Sequence, residues 1–272
     1  MAQASGTRNK FWVNAPEELF EGKEFLFKES KTVLGELWAE KITAEMGKLL
    51  NLSMMHVQFA KYNETYGVIM QNFSPKGFEL RDGGTFLSKS IPNFDVNSLD
   101  YYTIENIMIE ISRLGMETQF IELCLFDALV ACTDRHCENW GVIFDGENYH
   151  FSPIYDNGSA LGFNVHDKKL NLYASDLRAF QAFTNRTQTL IEVNGNSKPK
   201  VAMLLNYLYD NYKSLVVEII NNFKTFDLNK ALEIINKVPE KIMSKKQKEW
   251  VYCLIAYRHQ WLTKYKWRGV ET

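Results

Sequence analysis

An apolar segment that leads directly into a short polar loop and then into a hairpin constrains this chain more than any other feature. Residues 118–132 have the spacing of apolar side chains that predicts a helix, and residues 133–139 are almost entirely polar. Two strand-like runs follow, 140–144 and 149–151, joined by the turn-forming stretch 145–148. Because a hairpin presents both of its ends at one edge, we expect the residues before and after it to lie together.

Three polar residues flank this hairpin: Asp134 and Asn139 precede it, and Asp156 follows it. Phosphoryl transfer requires a carboxylate near the attacking hydroxyl and oxygen ligands for a magnesium ion that bridges the phosphates. The D-x-x-x-x-N interval from Asp134 to Asn139 is that of the protein-kinase catalytic loop. The pattern predicts Asp134 as the residue that orients the acceptor hydroxyl, and Asn139 and Asp156 as magnesium ligands.

Each of these residue types is also common in turns and helix caps, and for any one of them alone that structural interpretation is the better one. The combination, with a helix before it and a hairpin inside it, favours the functional interpretation. His136 is predicted to orient the loop, and a general-base role for its imidazole is the secondary alternative.

Lys28 ends an apolar strand, and Glu36 opens an amphipathic helix that follows it. In a kinase a strand lysine contacts the nucleotide phosphates and a helix glutamate holds it, so the pair Lys28 and Glu36 has the required order. Glu40, one turn further on the same helix face, is the rival partner. A solvated lysine and an acidic residue favoured at a helix N-terminus would give the same pattern.

A nucleotide also needs backbone amides around its phosphates and an apolar slot for its base. The predicted phosphate loop comprises Gly6, Thr7, Arg8, Asn9 and Lys10. The predicted hinge beside the base comprises Met70, Gln71 and Phe73. The loop has no G-x-G-x-x-G motif, and a disordered N-terminus is its alternative interpretation.

The order of elements predicts an α+β chain with a bilobal, protein-kinase-like fold. Residues 1–73 are expected to form an N-lobe with a small antiparallel sheet and one helix. Residues 74–99, rich in glycine and proline, are interpreted as a loop-rich connector. Residues 100–272 show mainly helical periodicity and are expected to form the C-lobe.

The net charge and the hydropathy of the sequence limit which classes of binding partner and which cellular compartment are expected. A formal net charge of −2 gives no global electrostatic reason to bind nucleic acid or an anionic membrane. The sequence has no apolar window long enough for a membrane span and no apolar stretch typical of a secretory signal. A cytoplasmic protein is expected, and export as an effector without a standard signal peptide stays open. The expected partners are ATP and a protein substrate.

The residues quoted above, together with 25–28, 126–129 and 152–158, resemble the HipA-like serine/threonine kinase family, the HipA toxin and CtkA type. The resemblance covers about the first 160 residues. It implies transfer of the ATP γ-phosphate to a serine or threonine, with magnesium as cofactor and Asp134 as base, and it implies autophosphorylation as an option at Ser5 or Thr7. The chain begins almost at the predicted phosphate loop, so the resemblance implies neither a toxin role nor a partner antitoxin.

Two other functions share part of this pattern. Phosphoinositide kinases have a similar D-R-H-x-x-N loop, so a lipid or another small molecule is an alternative acceptor. A nucleotide-binding pseudokinase is the alternative outside enzymes. The retained Asp134 argues against it, because binding alone requires no base.

Overall fold

The computed structural model of this chain describes residues 10–14, 23–30 and 34–268. It is a mixed α/β structure with a small antiparallel sheet and many helices, as predicted. No helix in these ranges is long and apolar enough to cross a membrane. The division into lobes at 73 and 99 remains a prediction.

The first sheet contains four antiparallel strands in the order β1-β2-β4-β3. These are β1 (Lys10–Asn14), β2 (Glu24–Glu29), β3 (Val57–Tyr62) and β4 (Thr65–Gln71). Helix α1 (Gly35–Leu49) lies between β2 and β3 in the chain and packs against β3 and β4. Two strands, one helix and two strands follow one another here, so the predicted small antiparallel sheet with one helix is confirmed.

Helix α1 forms because its apolar residues recur at helical spacing, and Leu37, Ile42 and Met46 are fully buried. Its N-terminus packs closely on a later segment of the chain, since a Cβ at Gly35 would lie 1.9 Å from the carbonyl oxygen of Phe163. Only glycine fits there, and this contact ties α1 to the residues that follow Asp156.

The second sheet corrects the prediction of a loop-rich connector at 74–99. This segment contains strand β5 (Glu79–Asp82) and helix α2 (Gly83–Ser88). Strand β5 pairs with β6 (Gly141–Phe144), which pairs with β7 (Tyr149–Phe151), so the predicted hairpin is confirmed and gains a third strand. Glycines at 83 and 84 suggested a loop, but Gly83 is required by close packing on Trp140.

The remaining helices follow the predicted periodicity in most places. They are α3 (Ile104–Ser112), α4 (Glu117–Val130), α5 (Asp167–Ser175), α6 (Leu177–Asn185), α7 (Val201–Asn211), α8 (Lys213–Phe223), α9 (Leu228–Asn236) and α10 (Lys245–Thr263). The helical periodicity of 201–223 is divided between two helices, because the chain leaves helical geometry at Tyr212. Helices α5 and α6 were not predicted.

Helix α4 lies at the centre of the core. It contacts α3, α7, α8 and α10, and almost every residue from 120 to 130 is buried. A helix that is apolar on all sides is expected to be enclosed in this way. The polar loop at its C-terminus is therefore built on an enclosed helix.

Candidate active site

The polar loop begins where α4 ends in a left-handed residue. Ala131 has a φ of 52°, and the N–H of Cys132 donates to the carbonyl of Asp127 at 3.0 Å. This is a common way for a helix to end, and it turns the chain sharply out of the helix. The segment after Asp156 is attached at the same point, since the N–H of Leu161 donates to Val130 O at 2.8 Å.

Arg135 is the centre of the loop and is only 2% exposed. Its Nε and Nη2 donate to the two carboxylate oxygens of Asp127 at 2.9 and 2.8 Å. This is a bidentate ion pair between α4 and the loop. Burial by itself lowers the pKa of Arg135, but the Asp127 carboxylate outweighs burial, and the pKa is raised. The guanidinium is thus a permanent cation inside the fold.

The same guanidinium holds together the two segments that flank the hairpin. Arg135 Nη1 donates to the carbonyl oxygens of Asn139 at 2.6 Å and Tyr155 at 2.7 Å, and Nη2 donates to Asn157 Oδ1 at 2.7 Å. Two carbonyls bound by one nitrogen must lie close to each other. Asn139 and Asp156 are therefore brought to one place, as the hairpin pattern predicted.

Asn139 is oriented by hydrogen bonds on its amide and its backbone. Its Nδ2 donates to the carbonyl of Asp134 at 2.8 Å, and its backbone N–H donates to the carbonyl of His136 at 3.0 Å. Because Nδ2 is engaged, the amide oxygen Oδ1 is the atom left to act as an acceptor or a cation ligand. This is the atom that a magnesium ligand must offer.

Lys28 lies on β2 and binds two carboxylates. Its Nζ is 2.8 Å from Asp156 Oδ1 and 3.0 Å from Glu40 Oε1. The predicted partner of Lys28 was Glu36. The structure instead pairs Lys28 with the rival, Glu40, one turn further along α1. Glu36 is buried on the same face, and its backbone oxygen and Cβ border Gly158.

The charges of this cluster depend on one another. Burial by itself lowers the pKa of Lys28, but the carboxylates of Glu40 and Asp156 outweigh it, and the pKa is raised. Burial raises the pKa of Glu40, although the Lys28 ammonium and the N–H of Asn157 favour its ionised form. Burial also acts to raise the pKa of Asp156, but Lys28 lowers it to about 2. At neutral pH Asp156 is an anion and Lys28 a cation.

Asp156 also has an uncommon backbone conformation, with a φ of 53° in the left-handed region. Asp and Asn tolerate this region better than most residues, and such conformations concentrate at functional sites. About 40% of the Asp156 side chain is exposed, so the carboxylate remains open to a ligand while one oxygen binds Lys28.

Asp134 and His136 lie at the exposed side of the loop. Burial raises the pKa of the Asp134 carboxyl, and the charge of Asp156 raises it further, while His136 opposes both effects. His136 Nδ1 accepts from the N–H of Glu138 at 3.2 Å, so this nitrogen stabilises the loop. That contact agrees with an orienting function for His136.

The donor set fits a hard cation. Asn139 Oδ1 and the Asp156 carboxylate are oxygen ligands, which magnesium prefers, and magnesium usually completes its shell with water and substrate phosphates. Within the described ranges, no group of three or more His, Cys, Asp or Glu side chains is arranged to hold a metal ion. A magnesium ion here would therefore depend on these two side chains together with phosphate oxygens.

The family model of the HipA-like C-terminal domain matches residues 2–244 of this chain. The chain belongs to the HipA-like C-terminal domain family. The resemblance inferred from the sequence motifs is thereby confirmed.

Two solved structures have the fold of this HipA-like chain. The Helicobacter pylori proinflammatory kinase CtkA has a TM-score of 0.83 and 18% identity, covering 97% of this chain and 91% of that chain. Shewanella oneidensis MR-1 HipA, in a complex with HipB and its operator DNA, has a TM-score of 0.62 and 14% identity, covering 99% and 68%. No curated protein matches the sequence.

The nucleotide-contacting residues predicted for this HipA-like chain are only partly described by the structure. Gly6, Thr7, Arg8 and Asn9 lie outside the described residues. Lys10 starts β1 and pairs with Lys28 in the strand register.

The predicted hinge lies at the end of β4. Met70 is buried, and the N–H of Gln71 donates to the carbonyl of His56 at 3.0 Å. The Phe73 ring packs on the ring of Tyr155 with centroids 5.3 Å apart. The end of the hinge therefore lies beside the residue that precedes Asp156.

Sequence reasoning gave no role to three residues that organise the site of this HipA-like chain: Asp127, Arg135 and Asn157. All three lie within the stretches that carried the family resemblance. The available signal was a charged Asp127 inside the otherwise apolar stretch 123–130, because a buried charge requires a partner.

Proposed function

We propose that this chain is an ATP- and magnesium-dependent serine/threonine protein kinase. The observation that carries the proposal is the ion pair of Lys28 with Asp156 and Glu40, held beside Asn139 and Asp134. Phosphoryl transfer depends on positioning and on charge stabilisation, and this cluster offers both. The family and the fold shared with a protein described as a kinase support the same function.

Each residue has a role that its contacts support. Lys28 would bind ATP phosphates, and Glu40 would hold the ammonium in place. Asn139 Oδ1 and the Asp156 carboxylate would bind magnesium, which neutralises charge on the phosphates when it is bound. The predicted hinge, Met70 to Phe73, would border the base, with residues 1–73 and 100–272 as the two lobes on either side.

Asp134 is the proposed base. The acceptor hydroxyl gives its proton to the Asp134 carboxylate, its oxygen forms a bond to the γ-phosphorus, and the bond from that phosphorus to the β–γ bridging oxygen breaks to release ADP. Burial raises the pKa of Asp134, which makes it a better proton acceptor than an ordinary Asp.

The test is incubation of purified protein with γ-labelled ATP and magnesium, followed by phosphosite mapping. Wild type is compared with Asp134→Asn and with the matched control Asp210→Asn. Asp210 is exposed on α7 and, among the described residues, pairs with Arg268, so its loss should change activity little. We expect label on serine or threonine in wild type and in the control, and a loss of at least about a hundredfold in Asp134→Asn.

Other outcomes would redirect the proposal. Label on an added lipid or small molecule, without label on protein, would favour the phosphoinositide-kinase-like alternative. Nucleotide binding without transfer to any acceptor would favour a pseudokinase. Equal labelling of wild type and Asp134→Asn would remove Asp134 from the mechanism.

A further inference from the structure

A groove of about 650 Å³ borders the catalytic loop on the side of α6. It is lined by Thr133, directly before Asp134, and by Ser159, directly after Gly158. Its volume lies within the range of ~300–1,000 Å³ typical of ligand sites. A molecule in this groove would therefore reach the residues beside the proposed base.

The charges that line the groove are all of one sign. Among the described residues that line it, Arg186 and Lys198 are the charged ones, and both are exposed. Neither side chain has a hydrogen bond or ion pair with another residue of the described ranges, although surface cations commonly find a carboxylate. Two exposed cations without a partner leave the side of the groove formed by Arg186 and Lys198 able to bind an anion.

A third cation is buried beneath the lining of the groove. Arg258 on α10 is 1% exposed, and its Nε and Nη1 donate to the carbonyls of Ala128 at 2.6 Å and Thr184 at 2.9 Å. Its Nη2 is buried without a hydrogen-bond partner in the described structure. Burial lowers the pKa of Arg258 to about 10, so it stays a cation at neutral pH.

The charge of Arg258 contributes to the positive electrostatic potential in the groove. Thr184, which accepts its hydrogen bond, is a lining residue, as is Thr187 next to it. No carboxylate of the described residues is bonded to this guanidinium. An uncompensated charge in a low-dielectric interior acts over a longer distance than one in water, so it adds to the positive potential of the groove.

The rest of the lining suits a polypeptide. Phe163, Tyr173 and Phe183 contribute partly exposed aromatic surface, and the Tyr173 and Phe183 rings are 4.9 Å apart. Such surface accommodates apolar side chains. A nucleic-acid backbone is neutralised by many basic contacts, and two exposed cations on a chain of net charge −2 do not supply them.

We propose that this groove binds the acceptor polypeptide and selects segments with acidic residues close to the serine or threonine that is phosphorylated. The inference rests on the proposed kinase function and names the substrate class of that site. Arg186 and Lys198 are the residues that would contact the acidic side chains.

The first test measures binding without catalysis, by fluorescence anisotropy of labelled peptides in which alanine replaces the acceptor. An acidic peptide is compared with its Asn/Gln counterpart and with single-stranded DNA of equal charge. The proteins are wild type, the double variant Arg186→Glu/Lys198→Glu, and the matched control Lys230→Glu/Lys237→Glu. Lys230 is exposed on α9, and Lys237 is exposed directly after that helix. Replacing both by glutamate gives the same change in net charge as the double variant in the groove.

We expect wild type and control to bind the acidic peptide at least about tenfold more tightly than the neutral one. The Arg186→Glu/Lys198→Glu variant should lose this preference and gain one for a lysine-flanked peptide. Equal binding of acidic and neutral peptides by wild type, or an equal loss in the control variant, would overturn the inference. Tighter binding of the DNA than of the acidic peptide would also overturn it.

A second test measures transfer to the same peptides with serine restored, as kcat/KM for acidic against neutral flanks. A preference in wild type that disappears in Arg186→Glu/Lys198→Glu supports the inference. Phosphorylation without any preference contradicts the inference and leaves the kinase proposal intact. Selective acidic-peptide binding without transfer in any assay contradicts the kinase proposal, so the two failures are distinguishable.

Discussion

Replacement of Arg135 by methionine tests the buried network most directly. Arg135 donates to both oxygens of Asp127 and to three further acceptors, the carbonyls of Asn139 and Tyr155 and the side chain of Asn157. Methionine matches the aliphatic part of arginine in length and has no donor. Arg135→Met therefore leaves the Asp127 carboxylate buried without its partner and three acceptors without a donor.

The expected loss follows from these contacts. Removing one partner of a buried ion pair destabilises a protein by about 3–5 kcal/mol, and each of the three acceptors left without a donor or water adds about 1–3 kcal/mol. A domain has a free energy of unfolding of about 5–15 kcal/mol, so the variant should fold with much reduced stability. The double variant Arg135→Met/Asp127→Leu removes the unpaired charge but leaves the three acceptors without a donor. Each acceptor that water does not reach still destabilises the fold by about 1–3 kcal/mol. It should recover only part of the loss.

Urea unfolding, followed by tryptophan fluorescence and far-UV circular dichroism, measures these differences. The matched control is Arg178→Met, because Arg178 is exposed on α6. The control should change the free energy of unfolding by less than about 1 kcal/mol. A loss for Arg135→Met as small as that of the control would refute our account of the buried network. Full recovery in the double variant would show that the three acceptors need no donor.

Two further predictions concern the Lys28 cluster. Glu40→Gln should reduce phosphate transfer by about tenfold or more, since a hydrogen bond to a charged group contributes ~1.5–3 kcal/mol, and Glu36→Gln should reduce it less. Labelling rates measure both, and a larger effect at Glu36 would contradict the observed pairing. Because the pKa of Asp156 is lowered to about 2, its ionised form stabilises the fold above about pH 4, and this stabilisation is lost as the pH falls toward 2. The difference in urea midpoint between wild type and Asp156→Asn should therefore shrink from about pH 5 to about pH 2, and a constant difference would contradict the ion pair.

Local patterns predicted most of the elements. The strands of the first sheet, α1, α4 and the hairpin at 141–151 follow from the period of apolar residues, because each buries one face or is buried on all sides. The interval from Asp134 to Asn139 and the position of Asp156 after the hairpin indicated where the site would lie. These features depend on residues near one another in the chain, so the chain sequence reveals them.

Other features depend on contacts between distant residues. Strand β5 exists because residues 79–82 pair with β6, more than 50 residues later, and its glycine-rich surroundings gave no local indication of a strand. Helices α5 and α6 have only nine residues each, and α5 buries only Leu170, so each contributes few apolar positions to a periodic pattern. The break at Tyr212 separates two helices whose apolar patterns continue across it.

The choice between Glu36 and Glu40 as the partner of Lys28 shows most clearly where prediction from the sequence ends. Both lie on one face of α1, and the sequence alone determined that a carboxylate of this helix would face Lys28. Which one does so depends on the rotation and height of α1 against β2, and tight contacts set these, such as that of Gly35 with Phe163. Arg135 likewise finds its acceptors on three separate segments. Residue type and spacing determined the chemistry that is present, and long-range packing decided which side chains meet, because those distances are set only when the chain folds.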